Sequence, residues 1–346
     1  MPVLDHAHAR QAAATDPFLR ASGLRVRQDG HALHLVIDRP THLNALDHGT
    51  VLQLRAAFDD AVEDPGIGLV VLTGAGRRGL SAGGDLRFLL ADGESDGRQA
   101  PGYWADLYGL ALAIAESPLP VLAIMDGFAF GGALGLAVQA DHRVVTERSE
   151  VGMPETRLGF FPDTGGLTFL ADCPGEIGTH LALTATTVGA ADAIGAGLAD
   201  HLVASRDLPT LLNRVAIRPV TEAIADVAVY PGPPTLERAW IDDCYRGDSV
   251  EEILTRLREH GSPAAEAAAG LLATRSPTAV AITLGGLRRG RGRELSSELT
   301  AEHRLATWLH RRGDFLEGIR ARLVERRPPR WAPLDDDLVE ATLATL

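Results

Sequence analysis

The chain has 346 residues, enough for one large core with an appendage or for two domains. Apolar residues make up 45% of it and charged residues 23%, as in ordinary globular proteins, and the net charge of −13 argues against a general nucleic-acid binder. All 33 basic residues are arginines, which excludes a Schiff-base lysine and a phosphate-loop lysine.

Short strands and helices alternate over the first 116 residues. We expect residues 1–20 to form a loosely held tail. Hydrophobic periodicity then predicts, in chain order, a strand over 31–38, a helix over 47–63 capped by Asp47, a strand over 68–73, a helical turn ending at 90, a mobile loop over 92–102 and a helix over 103–116. This alternation indicates an α/β core, with strands shorter than those of a doubly wound sheet.

The stretch over 119–166 carries the features with chemical meaning. A buried strand is predicted over 119–125, followed by a helix that opens at Gly131 and Gly132 and by a second short strand over 143–146. A helix start has unpaired N–H groups and the positive end of the helix dipole, and glycine places no side chain in front of them. Such a start is suited to a negatively charged oxygen.

Two isolated carboxylates, Glu155 and Asp163, follow this helix. Met153 and Pro154 precede the first, and residues 160–162, two phenylalanines and a proline, precede the second. Burial among such neighbours raises the pKa of a carboxyl group and prepares it for proton transfer. Together with the glycine donors, the carboxylates predict an acyl-transfer or enolate site.

Helices dominate the rest of the chain. The pattern predicts mainly helix over 168–197, a strand over 201–204, and helices over 233–245, 249–260, 277–287 and 294–310. Ser249 and Glu252 form a capping box for the second of these four. We therefore divide the chain into a tail (1–20), an α/β core (21–205) and a helical region (206–346) that packs on the core.

Several kinds of protein are disfavoured. The two cysteines, Cys173 and Cys244, make neither a disulfide framework nor a metal-type spacing, and the twelve histidines are scattered, so no metal site is expected. The first twenty residues lack the apolar stretch of a secretory signal. No apolar run approaches the ~20 residues that cross a bilayer. We expect a cytoplasmic protein with neither nucleic-acid nor membrane partners.

The glycine-rich loop over 74–85 also fits two common motifs. Residues 74–79 match the dinucleotide fingerprint G-x-G-x-x-G, but the third glycine does not open a helix as that site requires. Residues 79–83 match the nucleophile elbow G-x-S-x-G, which would make Ser81 a nucleophile, but five residues separate the elbow from the preceding strand. Both interpretations stay open as minor alternatives.

Three motifs together resemble the crotonase (enoyl-CoA hydratase/isomerase) superfamily. They are S-A-G-G-D-L at 81–86, G-F-A-F-G-G-A-L-G-L at 127–136 and M-P-E-T-R-L-G-F-F-P-D-T-G-G at 153–166. The resemblance is greatest to the 3-hydroxyisobutyryl-CoA hydrolase branch, of which a long helical C-terminal region is also typical. It covers nearly the whole chain after residue 20 and is weak over 206–270.

The resemblance implies a ββα spiral core that binds an acyl-CoA thioester, with coenzyme A as part of the substrate and no separate cofactor. It assigns the backbone N–H groups of Gly84 and Gly132 to an oxyanion hole and makes Glu155 and Asp163 the catalytic carboxylates. The implied substrate-binding residues are Ala82, Gly83, Asp85 and Phe161. Arginines such as Arg87 are candidates for the coenzyme A phosphates.

Two positions separate branches of the superfamily. A hydratase would carry its first catalytic glutamate at Gly135 and a glycine at Asp163, so both residues favour a hydrolase. The hydrolases usually carry an acidic residue immediately before the tyrosine of the preceding helix, whereas Leu107 precedes Tyr108 here and Asp106 lies one position earlier. This departure puts the identity of the acyl group in doubt.

The leading hypothesis is therefore hydrolysis of a short 3-hydroxyacyl-CoA, for which the branch implies a place in valine catabolism. Hydration or isomerisation of an enoyl-CoA is the first alternative, and a non-catalytic acyl-CoA-binding protein is the second. The oligomeric state stays open between a monomer and a homo-oligomer.

Overall fold

The computed structural model describes residues 23–334, 339–340 and 343, and the tail predicted over 1–20 lies outside them. The strands are β1 (Leu24–Asp29), β2 (Ala32–Ile37), β3 (Leu69–Gly74), β4 (Gly79–Ser81), β5 (Val121–Met125), β6 (Phe128–Phe130), β7 (His142–Val145), β8 (Glu150–Gly152), β9 (His201–Val203) and β10 (Ala228–Val229).

The α-helices follow in the same order. They are α1 (His48–Glu63), α2 (Leu86–Glu94), α3 (Ala100–Ala115), α4 (Gly132–Val138), α5 (Gly166–Ala171), α6 (Ile177–Thr184), α7 (Ala190–Gly195), α8 (Leu208–Val215), α9 (Val220–Ala225), α10 (Arg238–Tyr245), α11 (Val250–His260), α12 (Pro263–Leu272), α13 (Pro277–Gly290), α14 (Leu295–His310) and α15 (Gly313–Ile319). Short 3₁₀ turns cover Pro40–His42, Glu155–Leu158 and Ser205–Asp207, and a π turn covers Arg320–Val324. No helix in the described ranges is long and apolar enough to cross a bilayer.

The strands form two sheets that the chain enters alternately. The larger sheet has the order β1-β2-β3-β5-β7-β9-β10, and the smaller has the order β4-β6-β8. Each of β3, β5 and β7 is followed along the chain by a strand of the small sheet and then by a helical segment. This repeat of strand, strand and helix winds the core into a spiral, as the resemblance implied. The predicted fold class is confirmed.

Alternating side chains of β3 divide the core into two layers. Val70 and Leu72 face the main core, whereas Leu69 and Val71 face a second apolar layer. Helices α8 and α9 cover that second layer through Leu211, Val215 and Ile224, among others. The chain just beyond residue 206 thus still packs on the sheet, and the domain division proposed there remains a prediction.

Several predicted elements differ from the observed ones. The mobile loop predicted over 92–102 is wrong, because α2 runs to Glu94 and α3 starts at Ala100. Asp92 is buried there, where its carboxylate accepts the N–H groups of Gln99 (3.1 Å) and Ala100 (3.0 Å) and bonds Nε2 of His310 (2.9 Å). By contrast, Asp47 caps α1 as predicted, with its side chain accepting the N–H of Thr50.

Candidate active site

Three of the four principal candidate residues lie just beyond the ends of the strands of the small parallel sheet. Gly84 lies three residues beyond the end of β4, Gly132 two residues beyond β6, and Glu155 three residues beyond β8. Because β4 and β8 each pair in parallel with β6, the carboxyl ends of all three strands meet at one edge. The sheet itself therefore gathers the two glycines and the glutamate.

The N–H groups of both glycines lie outside the regular backbone ladders. Gly84 forms a parallel bridge with Leu46, in which Leu46 N donates to Gly83 O (2.8 Å) and Asp85 N donates to Leu46 O (3.1 Å). Since the two neighbours make these bonds, the N–H of Gly84 points to the other side. Gly132 is the first residue of α4, where an N–H has no acceptor within the helix.

Glu155 is buried against the glycine turn that starts α4. A Cβ placed on Gly131 would lie 2.5 Å from Glu155 Oε1, so only a glycine admits the carboxylate at this position. The other oxygen, Oε2, is buried and has no hydrogen-bond partner in the part of the chain that the structure describes. Burial, and secondarily the charge of Asp163, raises the pKa of Glu155 well above its usual range.

Asp163 lies in a tight turn next to this carboxylate. Its Oδ2 accepts a hydrogen bond of 2.9 Å from the phenol of Tyr108. Burial raises the pKa of Asp163 to about 6, and the Tyr108 bond opposes part of that rise. Glu155 and Asp163 therefore form a buried pair of interacting carboxyl groups, which titrate together.

Helix α3 supplies three buried aromatic side chains, of which only Tyr108 is singled out by the sequence. Tyr103, Trp104 and Tyr108 are all buried, and Trp104 stacks on Phe160 with ring centroids 5.6 Å apart. The hydroxyl Oη of Tyr103 has no hydrogen-bond partner among the described residues, and a Cβ on Gly84 would lie 2.9 Å from it. Burial raises the pKa of this phenol, so the group stays a hydrogen-bond donor.

The C-terminal region also reaches the site through α14. Glu302 is fully buried, and its carboxylate accepts the N–H groups of Gly165 (2.7 Å) and Leu167 (3.3 Å). These amides belong to the second and fourth residues after Asp163, so Glu302 holds the turn that presents it. Burial, with the charges of Glu298 and Asp163, raises the pKa of Glu302 well above its usual value.

The predicted substrate-binding residues all make local structural contacts. Ala82 N donates to Leu43 O (3.0 Å), and Gly83 has a φ of +87°, which few other residues adopt. Asp85 caps α2 through one carboxylate oxygen and binds Arg39 (3.3 Å) through the other. Phe161 is fully buried, with its ring centroid 4.8 Å from that of Phe160. The substrate contacts of these four residues stay a prediction. The contact of the exposed Arg87 with the coenzyme A phosphates also stays a prediction.

The two minor motifs take shapes that do not suit their usual chemistry. Gly79, the third glycine of the dinucleotide fingerprint, begins strand β4 instead of a helix. Ser81 ends the same strand, is fully buried, and accepts the N–H of Gly83 at 3.0 Å through its hydroxyl. A nucleophile elbow instead exposes its serine on a sharp turn after a strand.

Position 135 has no room for a side chain. Gly135 lies in α4, where an added Cβ would be 2.5 Å from Thr164 Cβ and 2.7 Å from Thr164 O. A glutamate at this position would therefore displace the turn next to Asp163. The carboxylate pair of this site comes from positions 155 and 163 alone.

Known proteins share this architecture over nearly the full chain. Residues 32–344 match the family profile described as enoyl-CoA hydratase/isomerase. The mitochondrial 3-hydroxyisobutyryl-CoA hydrolase of Gallus gallus is 34% identical over 342 residues, which cover 94% of this chain and 88% of that protein.

Two solved structures are similar as well. A carnitinyl-CoA dehydratase from Mycobacterium thermoresistibile has a TM-score of 0.90 and 38% identity, over 93% of this chain and 96% of that one. An enoyl-CoA hydratase from Rhodobacter sphaeroides has a TM-score of 0.85 and 34% identity, over 93% and 97%. The chain thus belongs to the enoyl-CoA hydratase/isomerase family.

Proposed function

We propose that this acyl-CoA thioester hydrolase cleaves a short 3-hydroxyacyl-CoA, of the 3-hydroxyisobutyryl type, to the free acid and coenzyme A. The name of the Gallus gallus relative supports this substrate class. The observation that carries the proposal is the placement of Glu155. Its buried Oε2 has no partner within the described ranges, and the carboxylate lies at the edge where Gly84 and Gly132 leave their strands.

The chemistry follows from this placement. The N–H groups of Gly84 and Gly132 stabilise the negative oxygen that forms on the thioester carbon, and loss of one such donor typically costs ~10²–10³ in rate. The ionised carboxylate of Glu155 either attacks that carbon, which gives an anhydride that water then hydrolyses to the free acid, or takes a proton from an attacking water. The C–S bond breaks, and its electron pair leaves on the coenzyme A sulfur. Asp163 binds the hydroxyl of the acyl chain or returns a proton to the thiolate.

Hydration of an enoyl-CoA is the second candidate, supported by the likeness to the carnitinyl-CoA dehydratase of Mycobacterium thermoresistibile. The crowding of Gly135 against Thr164 disfavours it, because a second glutamate cannot occupy position 135 in this backbone. Loss of enoyl absorbance from crotonyl-CoA without release of thiol would favour hydration. Ligand binding without turnover of any thioester would favour a non-catalytic acyl-CoA-binding protein.

A thiol-release assay with short acyl-CoA substrates tests the proposal. We expect Glu155→Gln to lower turnover by several orders of magnitude, because an amide neither attacks the thioester nor accepts a proton. Ser81→Ala is the matched control, and we expect it to retain most activity, since its hydroxyl only accepts the N–H of Gly83. An inactive Ser81→Ala beside an active Glu155→Gln would overturn the assignment in favour of a serine nucleophile.

Asp163→Asn separates recognition from chemistry in the same assay. We expect a larger loss on 3-hydroxyacyl substrates than on plain acyl ones, because an amide binds a hydroxyl differently and relays no proton. An equal loss on both would assign Asp163 to the chemical step in general. Cytoplasmic location, a place in valine catabolism and assembly into a homo-oligomer remain parts of the proposal for separate tests.

A further inference from the structure

An open cleft of about 1000 Å³ lies beside the turn that carries Glu155, and none of the residues assigned to thioester chemistry lines it. Five arginines line this arginine cleft: Arg157, Arg275, Arg322, Arg326 and Arg327. Arg157 lies in the 3₁₀ turn after β8, Arg275 lies two residues before α13, and the other three lie in or just after the π turn over Arg320–Val324. Distant parts of the chain thus converge to place positive charge around one space.

Most of this charge has no counterion among the residues that the structure describes. Among the described residues, Arg327 alone of the five forms an ion pair, with Glu317 at 2.6 Å and with Glu325. The pKa of Arg275 is lowered to about 10, first by burial and then by the nearby charges of Arg157 and Arg322. Three guanidinium groups therefore repel one another, although the whole chain is acidic, with a net charge of −13.

Backbone carbonyls hold two of these guanidinium groups in place. Arg275 is buried, and its Nε donates to Thr184 O (2.9 Å) at the C-terminal end of α6. Nε of Arg322 donates to Arg157 O (2.7 Å). Capping of α6 accounts for one contact of Arg275. Capping does not explain why Arg157 and Arg322 also lie near Arg275, because a single helix end does not need them.

Hydroxyl groups complete the lining. Thr186, Thr187 and Thr274 border the cleft, but their hydroxyls bond Thr184, Glu150 and Leu271 O respectively. The donors that face an anion are therefore the guanidinium groups. Arginine matches the geometry of phosphate oxygens by paired N–H groups, and it keeps its charge throughout the physiological pH range. Several guanidinium groups around an open volume of this size suit a ligand that carries more than one phosphate group.

We propose that the arginine cleft is a binding site for a small polyphosphate anion. Two sources share this chemistry: the diphosphate of coenzyme A itself, and a separate phosphorylated metabolite. The site is independent of the thioester chemistry proposed above, since it contains neither carboxylate of the pair. Its existence can therefore be measured by binding alone.

Calorimetric titration of the full chain with inorganic pyrophosphate at low salt tests the site. We expect Arg157→Gln/Arg322→Gln to weaken binding at least tenfold, because it removes two uncompensated charges. The control Arg27→Gln/Arg206→Gln has the same net charge but changes exposed arginines outside the cleft, so we expect its affinity within twofold of wild type. Pyrophosphate should also raise the melting temperatures of the wild type and of the control variant, but not that of the cleft double variant.

Three outcomes would overturn the proposal. They are absence of binding to the wild type, equal weakening in both double variants, and binding that appears only after neutralisation of the acidic run at residues 335–337. The last outcome would make that run, which lies outside the described residues, the occupant of the cleft. If the cleft double variant does not fold, Arg326→Gln replaces it, with a smaller expected loss because one charge is removed.

Competition identifies the source of the phosphates. If coenzyme A displaces pyrophosphate and pantetheine does not, the cleft binds the substrate's own tail. The double variant should then raise KM for an acyl-CoA and leave KM for the acyl-pantetheine thioester unchanged. If coenzyme A does not compete, the ligand is a separate phosphorylated molecule. Both results support the anion site, and neither depends on which residue performs the hydrolysis.

Discussion

The carboxyl group of Asp163 loses its hydration on burial, and the hydrogen bond from Tyr108 compensates for only part of that loss. Its pKa rises to about 6 from an ordinary 3.8, so the folded state binds this proton more tightly than the unfolded state does. The contribution of this proton to folding stability is complete below pH 4 and is lost as the pH rises through 6.

Asp163→Asn should remove this dependence. We expect the unfolding free energy of the variant, relative to wild type, to increase between pH 4 and pH 7 by on the order of 2 kcal/mol. Urea unfolding at a series of pH values measures it. Asp248→Asn, whose side chain is 94% exposed, is the control and should show a nearly constant difference. A constant difference for Asp163→Asn as well would contradict the raised pKa.

The second prediction at the scale of one residue concerns a substitution of Gly135. Gly135→Ala should destabilise the protein by about 1–3 kcal/mol, because the added Cβ overlaps Thr164 in a packed region. Gly270→Ala is matched to it, since this glycine also lies in a helix but has nothing within 4 Å of an added Cβ. It should stabilise by up to about 1 kcal/mol. Thermal unfolding distinguishes them, and equal melting temperatures would refute the crowding.

Among elements, α14 has the most direct effect on the site. It brings Glu302 to the backbone after Asp163, and it packs alongside α3, which carries Tyr103 and Tyr108. A carboxylate can accept both N–H groups of the turn at once. An amide accepts only one of them and turns an NH₂ group toward the other.

Glu302→Gln should therefore loosen the Asp163 turn. We expect a loss of about 1–3 kcal/mol in stability, because a buried N–H loses its acceptor, and a lower kcat on 3-hydroxyacyl substrates. Glu298→Gln is the control, since Glu298 is equally buried but pairs with Arg293 (3.1 Å) and does not bond the turn. Its kcat should stay within about twofold of wild type. Similar losses of kcat in both variants would show that Glu302 has no special role in positioning Asp163.

Long elements with regular periodicity could be predicted from sequence, and short ones could not. Helix α1 and its cap follow from the apolar stripe and Asp47, and α14 was placed within one residue of each end. Strand β4 was missed because it has three residues in a glycine-rich loop and starts at Gly79, with a φ of +153°. The prediction of a loop over 92–102 failed because buried Asp92 accepts the N–H groups of Gln99 and Ala100. Hydrophobic periodicity does not detect such contacts between residues that are separated in sequence.

The candidate site also contains residues that the sequence predicts and one that it does not. Residue patterns predict Gly132, Glu155 and Asp163 as site residues, and the motif resemblance adds Gly84. The parallel strand ends explain why Gly84, Gly132 and Glu155 are neighbours. Tyr103 was missed because an aromatic residue at helical spacing has the same pattern as any core residue. Only the tertiary structure places its hydroxyl beside Gly84.

At the scale of the whole molecule, many contacts join the helical C-terminal region to the core. Arg275 donates to Thr184 O (2.9 Å), Arg322 donates to Arg157 O (2.7 Å), and the ring of Phe315 lies 4.4 Å from that of Phe160. These contacts fix the 3₁₀ turn of Glu155 from outside. A separate domain would have few contacts across its boundary.

We therefore expect residues 23–334 to unfold in a single cooperative transition. Calorimetry should give equal calorimetric and van't Hoff enthalpies, and hydrogen exchange should show that protection in the large sheet and in α11 to α14 is lost together. Two resolved transitions, with the helical region lost first, would instead support an independent unit after residue 206.

The crowding of Gly135 against Thr164 also limits how this enzyme can evolve. A route to a two-glutamate hydratase has to add a side chain at 135, and that step alone collides with the backbone beside Asp163. A change that moves the turn at 164 would have to come first or together with it, so the two changes are epistatic: each depends on the other. The order of mutations, more than their number, separates the two chemistries, and directed evolution by single substitutions should rarely cross between them.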